Sequence, residues 1–369
     1  MSRQFYKNII AIFALKELIH FYSMNCYLSR NYRSTAYAGT KAKTDIEQIM
    51  QNLGFKNIGN SQTRYTGVVT GFFATLTSMI SAPFNLRKGD ILVLQYPLKK
   101  YFKIECRLAH AKGAKVVVII HDLGSFRRKK LSVKEEIKKL SLADYIIAHS
   151  DSMRDWLIAH GCKVPIGVLG MFDFLSSTTA PRHSSMPEKP FKVMYVGGLD
   201  YGYNAALYEM GENAKNWSTV LYGSGFEAEK ALPGCNIDFR GYIDSDLLIS
   251  SPGGDFGLVW YGSSKNGCEG IIGDYIRYIA PHKTSLYLRC EVPVIVWSGS
   301  GIAEFVKNEG IGLAVDSLDD IEAIFENMSA DDYATMKEKA ASIGKRLASG
   351  DFTTRALNEA IKTLGGEIK

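Results

Sequence analysis

The sequence predicts an α/β fold built as two Rossmann-like halves facing each other across a cleft. Three observations lead there. Strand and helix signals alternate along almost the whole chain, the pattern of parallel α/β layers. A Ser-, Thr- and Pro-containing stretch without apolar periodicity, residues 176–190, interrupts that alternation, which then restarts. Late in the second half, Pro281-His282-Lys283-Thr284-Ser285 stands at a helix start and leads through an apolar run to the strand-like Val292-Pro293-Val294-Ile295. First-turn N–H groups have no intrahelical partner, and the helix dipole adds partial positive charge there. A Lys and a His at that place make an anion site, most naturally for a phosphate.

Taken in order, strands are expected at 26–28, 90–95, 115–120 and 145–148 in the first half. Helices are expected at 45–53, 72–80, 102–111, 132–140 and 151–160, with a polar loop at 31–43. In the second half, strand signals fall at 192–196, 219–222, 238–242, 257–260 and 292–295. A Gly-rich loop is read at 262–273, and helices at 319–328 and 330–348. The expected domains are an extra N-terminal segment at 1–23, a first Rossmann-like domain at 24–175, a linker at 176–190, a second Rossmann-like domain at 191–345, and a C-terminal helix at 346–369 that packs back on the first domain.

The 369 residues suffice for two domains. With 46% hydrophobic and 22% charged residues the composition is that of an ordinary globular protein. The net charge of +6 is uneven. Residues 1–33 hold Arg3, Lys7, Lys16, Arg30 and Arg33 against Glu17 alone, and a second basic run spans 127–139. This argues against nucleic-acid binding, whose basic residues would track a groove. It allows contact with an anionic membrane surface, the run at 127–139 also reading as a solvated helix face. The apolar run 9–15 is interrupted by Lys16, Glu17 and His20 and is too short to span a bilayer. Residues 1–23 read either as an amphipathic surface helix carrying Phe5, Ile9, Ile12, Phe13 and Leu18, or as an artefact of start choice, with Met24 the true beginning. The six cysteines have neither Cys-x-x-Cys nor zinc-like spacing, which fits buried thiols in a reducing cytosol.

No P-loop and no Gly-x-Gly-x-x-Gly fingerprint is present. Asp244-Ser245-Asp246 reads as a helix cap rather than a metal-sugar site. The chemistry expected is therefore metal-independent, with no cofactor. Open α/β sheets bind ligands at the carboxyl ends of their strands. The residues there are Gln95-Tyr96, His121-Asp122 and His149-Ser150 in the first half, and Gly197-Gly198, Tyr222-Gly223 and Trp260-Tyr261 in the second. His121 and Asp122 are the candidates for a general base, a helix cap and a satisfied loop histidine being the plainer alternative. Gly198 lets backbone approach a ligand. Tyr222 is either a base-stacking group or core. Lys283 opposes the helix dipole unless an anion neutralises it.

The segment Gly267-Cys268-Glu269-Gly270-Ile271-Ile272-Gly273-Asp274-Tyr275, the run Pro281-His282-Lys283-Thr284-Ser285-Leu286-Tyr287-Leu288 and Ile302-Ala303-Glu304-Phe305-Val306 resemble the glucosyltransferase-3-like and β-1,6-galactofuranosyltransferase group. Gly39-Thr40-Lys41, Gln95-Tyr96-Pro97, Ile120-His121-Asp122-Leu123 and Met171-Phe172-Asp173-Phe174-Leu175 add weaker matches in the right order, so the likeness covers about residues 25–345. The resemblance implies a GT-B fold and a hexosyltransferase using a UDP-sugar, galactofuranose or glucose being the sugar, in polysaccharide or glycoconjugate synthesis, with inversion. It implies His282 and Lys283 on the diphosphate, Ser285 nearby, Tyr222 by the uridine, and Gly39 and Thr40 in a loop facing the donor. Ala280 and Gly198 depart from the group, which has Asn at both places, and leave the sugar open. The partners expected are a UDP-sugar and a saccharide or lipid-linked saccharide, in the cytoplasm or at the inner face of the membrane. Homo-oligomerisation stays open. The alternatives are a retaining transferase of the same fold and a catalytically silent nucleotide- or saccharide-binding partner of another transferase.

Overall fold

The computed structural model describes residues 23–32, 38–98, 101–127, 131–181 and 185–368. The expected N-terminal amphipathic helix, and parts of the basic run at 127–139 and of the linker, lie outside the described residues.

Strands β1 (Asn25–Tyr27), β2 (Lys56–Asn57), β3 (Ile91–Tyr96), β4 (Lys115–Ile120), β5 (Tyr145–Ala148) and β6 (Ile166–Val168) form one sheet in the order β2-β1-β3-β4-β5-β6. Strands β7 (Phe191–Gly198), β8 (Trp217–Ser224), β9 (Ile237–Phe239), β10 (Phe256–Val259), β11 (Val294–Trp297) and β12 (Gly312–Val315) form the other, in the order β12-β11-β10-β7-β8-β9. All neighbouring strands are parallel. Helices cover both faces, so the strands are apolar throughout rather than alternating. In β4 every residue after Lys115 is buried, as is all of β10 and β11.

The helices that bear on the site are α1 (Ala38–Asn52), α2 (Val68–Ser81), α3 (Phe102–Ala111), α4 (Gly270–Ile276), α5 (His282–Arg289), α6 (Ala330–Ser349) and α7 (Asp351–Thr363). Three differ from the sequence expectation. Helix α1 starts at Ala38, not Asp45, so Gly39 and Thr40 sit in a first helical turn rather than a loop. The Lys41 ammonium holds that turn, donating to Asp45 one turn on at 2.8 Å and to the Leu175 carbonyl at 2.6 Å. Helix α2 begins at Val68 rather than Phe72. Helix α4 occupies the end of the predicted Gly-rich loop, with Tyr275 and Ile276 buried to anchor it. Asp244 is the N-cap of the helix Ser245–Ser250, its carboxylate accepting from the Asp246 N–H at 2.8 Å.

The two sheets are joined by polar contacts. Arg289, at the end of α5, is buried and donates to the carbonyls of Phe174, Ser176 and Thr178, which hold the connecting chain. The Asp173 carboxylate accepts from the N–H groups of Phe352 and Thr353 at the start of α7. Helix α7 then runs beside the first sheet, where the Tyr145 hydroxyl donates to Glu359 and the Lys115 ammonium to the Leu364 carbonyl.

Each sheet has a topological switch point. In the second, the chain lays down β7, β8 and β9 in one direction and returns to the far side of β7 with β10. In the first, the switch lies between β1 and β3. The crevices outside the carboxyl ends of these strands are where this architecture binds ligands.

Candidate active site

At the second switch point stands Lys283. Its ammonium lies 3.7 Å from the ring centre of Tyr195 in β7 and 4.4 Å from that of Tyr261, just after β10. These two rings grip the ammonium. Cation–π attraction holds the charge, yet among the described residues Lys283 forms no ion pair. Burial pushes its pKa down from 10.5 to about 7, with Cys268 as a smaller opposing influence. The chain around it is pared to glycine. Gly197 has φ +152° and Gly223 φ +145°, and a Cβ on Gly223 would collide with the Gly197 carbonyl. The paired β7 and β8 ends therefore close up as bare backbone beside the ammonium. The Gly198 carbonyl accepts from the Asn204 amide at 3.0 Å.

Helix α5 supplies Lys283. Pro281 is its N-cap, and no side chain caps the helix. Two side-chain atoms of its first turn, His282 Nε2 and Thr284 Oγ1, are buried without a hydrogen-bond partner. His282 stacks on Phe174, ring centres 5.0 Å apart. Burial first, and Lys41 second, lower its pKa to about 4, against a hydrogen bond to the Asp173 backbone. It is a neutral imidazole. A ring that donates one N–H to a backbone carbonyl presents its other nitrogen as an acceptor, and here that nitrogen is Nε2. Ser285 is buried and its hydroxyl donates to the Phe172 carbonyl at 2.6 Å.

The first half meets α5 through imidazoles. His121, at the end of β4, is stacked on Phe172 at 4.9 Å and shares a 2.7 Å hydrogen bond from Nε2 to Gln95 Oε1. The Gln95 amide in turn donates to the Lys43 carbonyl, which fixes its oxygen toward His121. His149, at the end of β5, donates from Nε2 to the His121 carbonyl and accepts at Nδ1 from the Ala280 N–H at 3.4 Å. Burial, with Lys43 second, drives the His121 pKa well down, and burial takes His149 to about 4. Asp122 follows His121 at intermediate exposure. The next residue, Leu123, donates its N–H to the Tyr275 hydroxyl of α4.

The structure thus brings Lys283, His282, Ser285 and Gly198 to one switch point, and ties His121 to it through His149 and Ala280. Gly39 and Thr40 lie one turn from Lys41, whose ammonium stands 4.5 Å from the Phe174 ring that His282 stacks on. Tyr222 is buried in β8, its hydroxyl accepting from Arg240 at 3.1 Å. Tyr195, Tyr261, Gln95 and His149 belong to the arrangement as well. The last three stand at strand ends and were open to the same reading, whereas Tyr195 looked like any core aromatic.

The model "Glucosyltransferase 3-like, N-terminal domain" matches residues 25–171, and "Glucosyltransferase 3-like, C-terminal domain" matches residues 193–360. The β-1,6-galactofuranosyltransferase WbbI of Escherichia coli (strain K12) is 27% identical over 91% of this chain and 97% of its own. Glucosyltransferase 3 of Streptococcus gordonii is 26% identical over 87% of this chain and 93% of its own. Among solved structures, sucrose-phosphate synthase from Thermosynechococcus elongatus superposes with a TM-score of 0.61 at 12% identity, covering 93% of this chain and 99% of that one. The two parallel six-stranded sheets are those of the GT-B glycosyltransferases.

Proposed function

This chain belongs to the glucosyltransferase 3-like family, a family of hexosyltransferases, and on that premise we propose that it moves a hexosyl unit, galactofuranose or glucose, from a UDP-sugar to a saccharide or lipid-linked saccharide without a metal ion. The observation that carries the reading is Lys283, a buried cation at a helix start and a topological switch point, with no carboxylate to pair with among the described residues. A buried charge left without a partner is costly. A diphosphate would supply one and would restore the ammonium to its charged form.

In the proposed reaction an acceptor hydroxyl attacks the anomeric carbon as the bond to the diphosphate oxygen breaks. Lys283 and the first turn of α5 offset the negative charge that grows on the departing UDP. Attack from the face opposite UDP gives inversion. The acceptor proton passes to a base from the first half. Asp122 fits that task better than His121, whose Nε2 is committed to Gln95 and whose ring is locked on Phe172. His121 then acts as a positioning residue. His282 suits a hydroxyl better than a phosphate: its Nε2 accepts, a phosphate oxygen has nothing to donate, and a sugar hydroxyl does. The buried thiols agree with a cytosolic protein.

The test is thermal shift with UDP-glucose, UDP-galactose, UDP-galactofuranose and UDP-N-acetylglucosamine. It is followed by transfer assays in EDTA and determination of the product anomer by NMR. One of the four nucleotide sugars should stabilise the protein and turn over with the anomer inverted. Stabilisation by none would remove the donor assignment. A retained anomer would favour a retaining transferase on the same scaffold.

A further inference from the structure

Helix α2 is built inside out. It carries no charged residue, and its buried positions are Gly71, Ser78 and Met79. Ser78 is the inward anchor, its hydroxyl donating to the Ser29 carbonyl at 2.6 Å and accepting from the Asn60 N–H at 3.1 Å. Val68, Val69, Phe73 and Ile80 face outward, each more than half exposed. Phe84, in the turn Ala82–Asn85 that follows, is 80% exposed. A surface helix of a globular protein ordinarily does the reverse, and an apolar face of this kind marks an interaction site.

The hydroxyls of α2 do not depend on water. Thr70, Thr75, Thr77 and Ser81 donate to the carbonyls of Gly67, Gly71, Phe73 and Ser78 on their own helix. Surroundings that offer no hydrogen bonds would leave none of them unsatisfied, the condition a lipid environment imposes.

The stretch of sequence that carries the face is predominantly basic, and the acids that approach α3 from elsewhere are Asp144, bonded to His110, and Glu135, near Lys103. Between Glu47 and Glu105 the sequence holds a single acid, Asp90, against Lys56, Arg64, Arg87, Lys88, Lys99, Lys100 and Lys103. Asp90 is buried and accepts from the backbone N–H groups of Met24 and Arg87. Helix α3 packs against the turn Ala82–Asn85 and shows Lys103, Ile104, Arg107 and Leu108 to solvent. Its Glu105 points inward, where burial raises the carboxyl pKa to about 7. Basic and apolar side chains interleaved on one face are the pattern of an interfacial surface.

We propose that α2, the turn Ala82–Asn85 and the outer face of α3 dock the protein on an anionic lipid bilayer. The apolar side chains enter the boundary between headgroups and acyl chains, and the basic residues meet lipid phosphates. The helix lies in the plane of the surface. At about 1.5 Å per residue it is roughly 21 Å long, short of the ~30 Å hydrocarbon core, and no helix among the described residues is long and apolar enough to cross a membrane. The face is on the first half, which supplies the base proposed for the acceptor, so docking there would bring a lipid-linked acceptor to the cleft. The docking itself is independent of the transfer chemistry.

Co-sedimentation of the full chain with vesicles tests it, using phosphatidylcholine alone and phosphatidylcholine mixed with phosphatidylglycerol. Binding is expected on the mixed vesicles, weakening with salt. The double variant Phe73→Ser/Phe84→Ser should lower the partition constant at least about tenfold. Arg87→Glu/Lys88→Glu should lower it about fivefold per residue. Both should keep the wild-type melting temperature and UDP-sugar thermal shift, which separates lost docking from unfolding and from failure of the donor assignment. Three results would overturn the proposal: mixed-vesicle binding absent or unchanged in both variants; binding lost in Ile9→Ser/Phe13→Ser alone, which would place the contact in the N-terminal segment; and a dimer in solution that Phe73→Ser/Phe84→Ser splits, which would make the face an interface between copies.

Discussion

The two halves of this site are finished to different degrees. In the first half the groups at the strand ends are tied to one another: His121 bonds Gln95, Gln95 bonds the Lys43 carbonyl, and His149 spans from the His121 carbonyl to the Ala280 N–H. In the second half, among the described residues, a Lys held by two tyrosine rings has no counter-charge and His282 Nε2 has no hydrogen-bond partner. A closed polar network rigidifies, whereas an open one awaits a ligand. The first half should therefore position groups and move a proton, while the second half supplies most of the binding energy for an anionic donor.

The sharpest way to break that division is Asp122→Asn. If Asp122 is the base, kcat should fall by about 10²–10⁴, the usual contribution of general base catalysis, with the Kd for the UDP-sugar unchanged. A loss in kcat below threefold would move the base out of the first half and make His282 Nε2 the next candidate. Isothermal titration separates the two constants.

Lys283→Ala should act on the opposite side of the comparison. Removing a charged hydrogen-bond donor to the diphosphate is expected to cost about 1.5–3 kcal/mol of UDP-sugar affinity, with the first-half network intact. The pH dependence follows from the depressed pKa of about 7. Below that pH the ammonium is charged before the ligand arrives, and affinity is flat. Above it the free protein must take up a proton to bind, so affinity should fall with rising pH by up to about tenfold per unit. In Lys283→Met the slope should vanish. A wild-type affinity that is flat from pH 6 to 9 would mean that Lys283 is not the anion's partner.

How much of this was legible in the sequence depends on the distance over which each feature is decided. Strand β4 declares itself through Val116-Val117-Val118-Ile119-Ile120, because burial on both faces demands an unbroken apolar run. The helix start at Pro281 is equally local. Helix α1 was misjudged because what stabilises its first turn, the Leu175 carbonyl on Lys41, comes from far along the chain. The tyrosine pair on Lys283 is hidden for the same reason, since Tyr195 and Tyr261 meet there only once β7 and β10 are neighbours. Helix α2 escaped differently. An apolar stretch predicts a helix but not which side faces water, and the inward role of Ser78 is set by a carbonyl in another element.

Ser285→Ala carries the smallest expected effect, and it probes the boundary between the two halves of the site. By its likeness to the family Ser285 belongs near the diphosphate. In the structure its hydroxyl donates to the Phe172 carbonyl at 2.6 Å, and the residue is buried. Phe172 is the ring on which His121 stacks, so this bond ties the donor-side helix to the acceptor-side network. Deleting the hydroxyl should leave that carbonyl unsatisfied and cost about 1 kcal/mol of stability, read as a lower denaturant midpoint, while the Kd for the UDP-sugar stays within about twofold. A tenfold weaker Kd with an unchanged midpoint would show that the hydroxyl turns to the ligand. In that case the two halves of the site would share the diphosphate, and the division of labour between a closed half and an open half would fail at their seam.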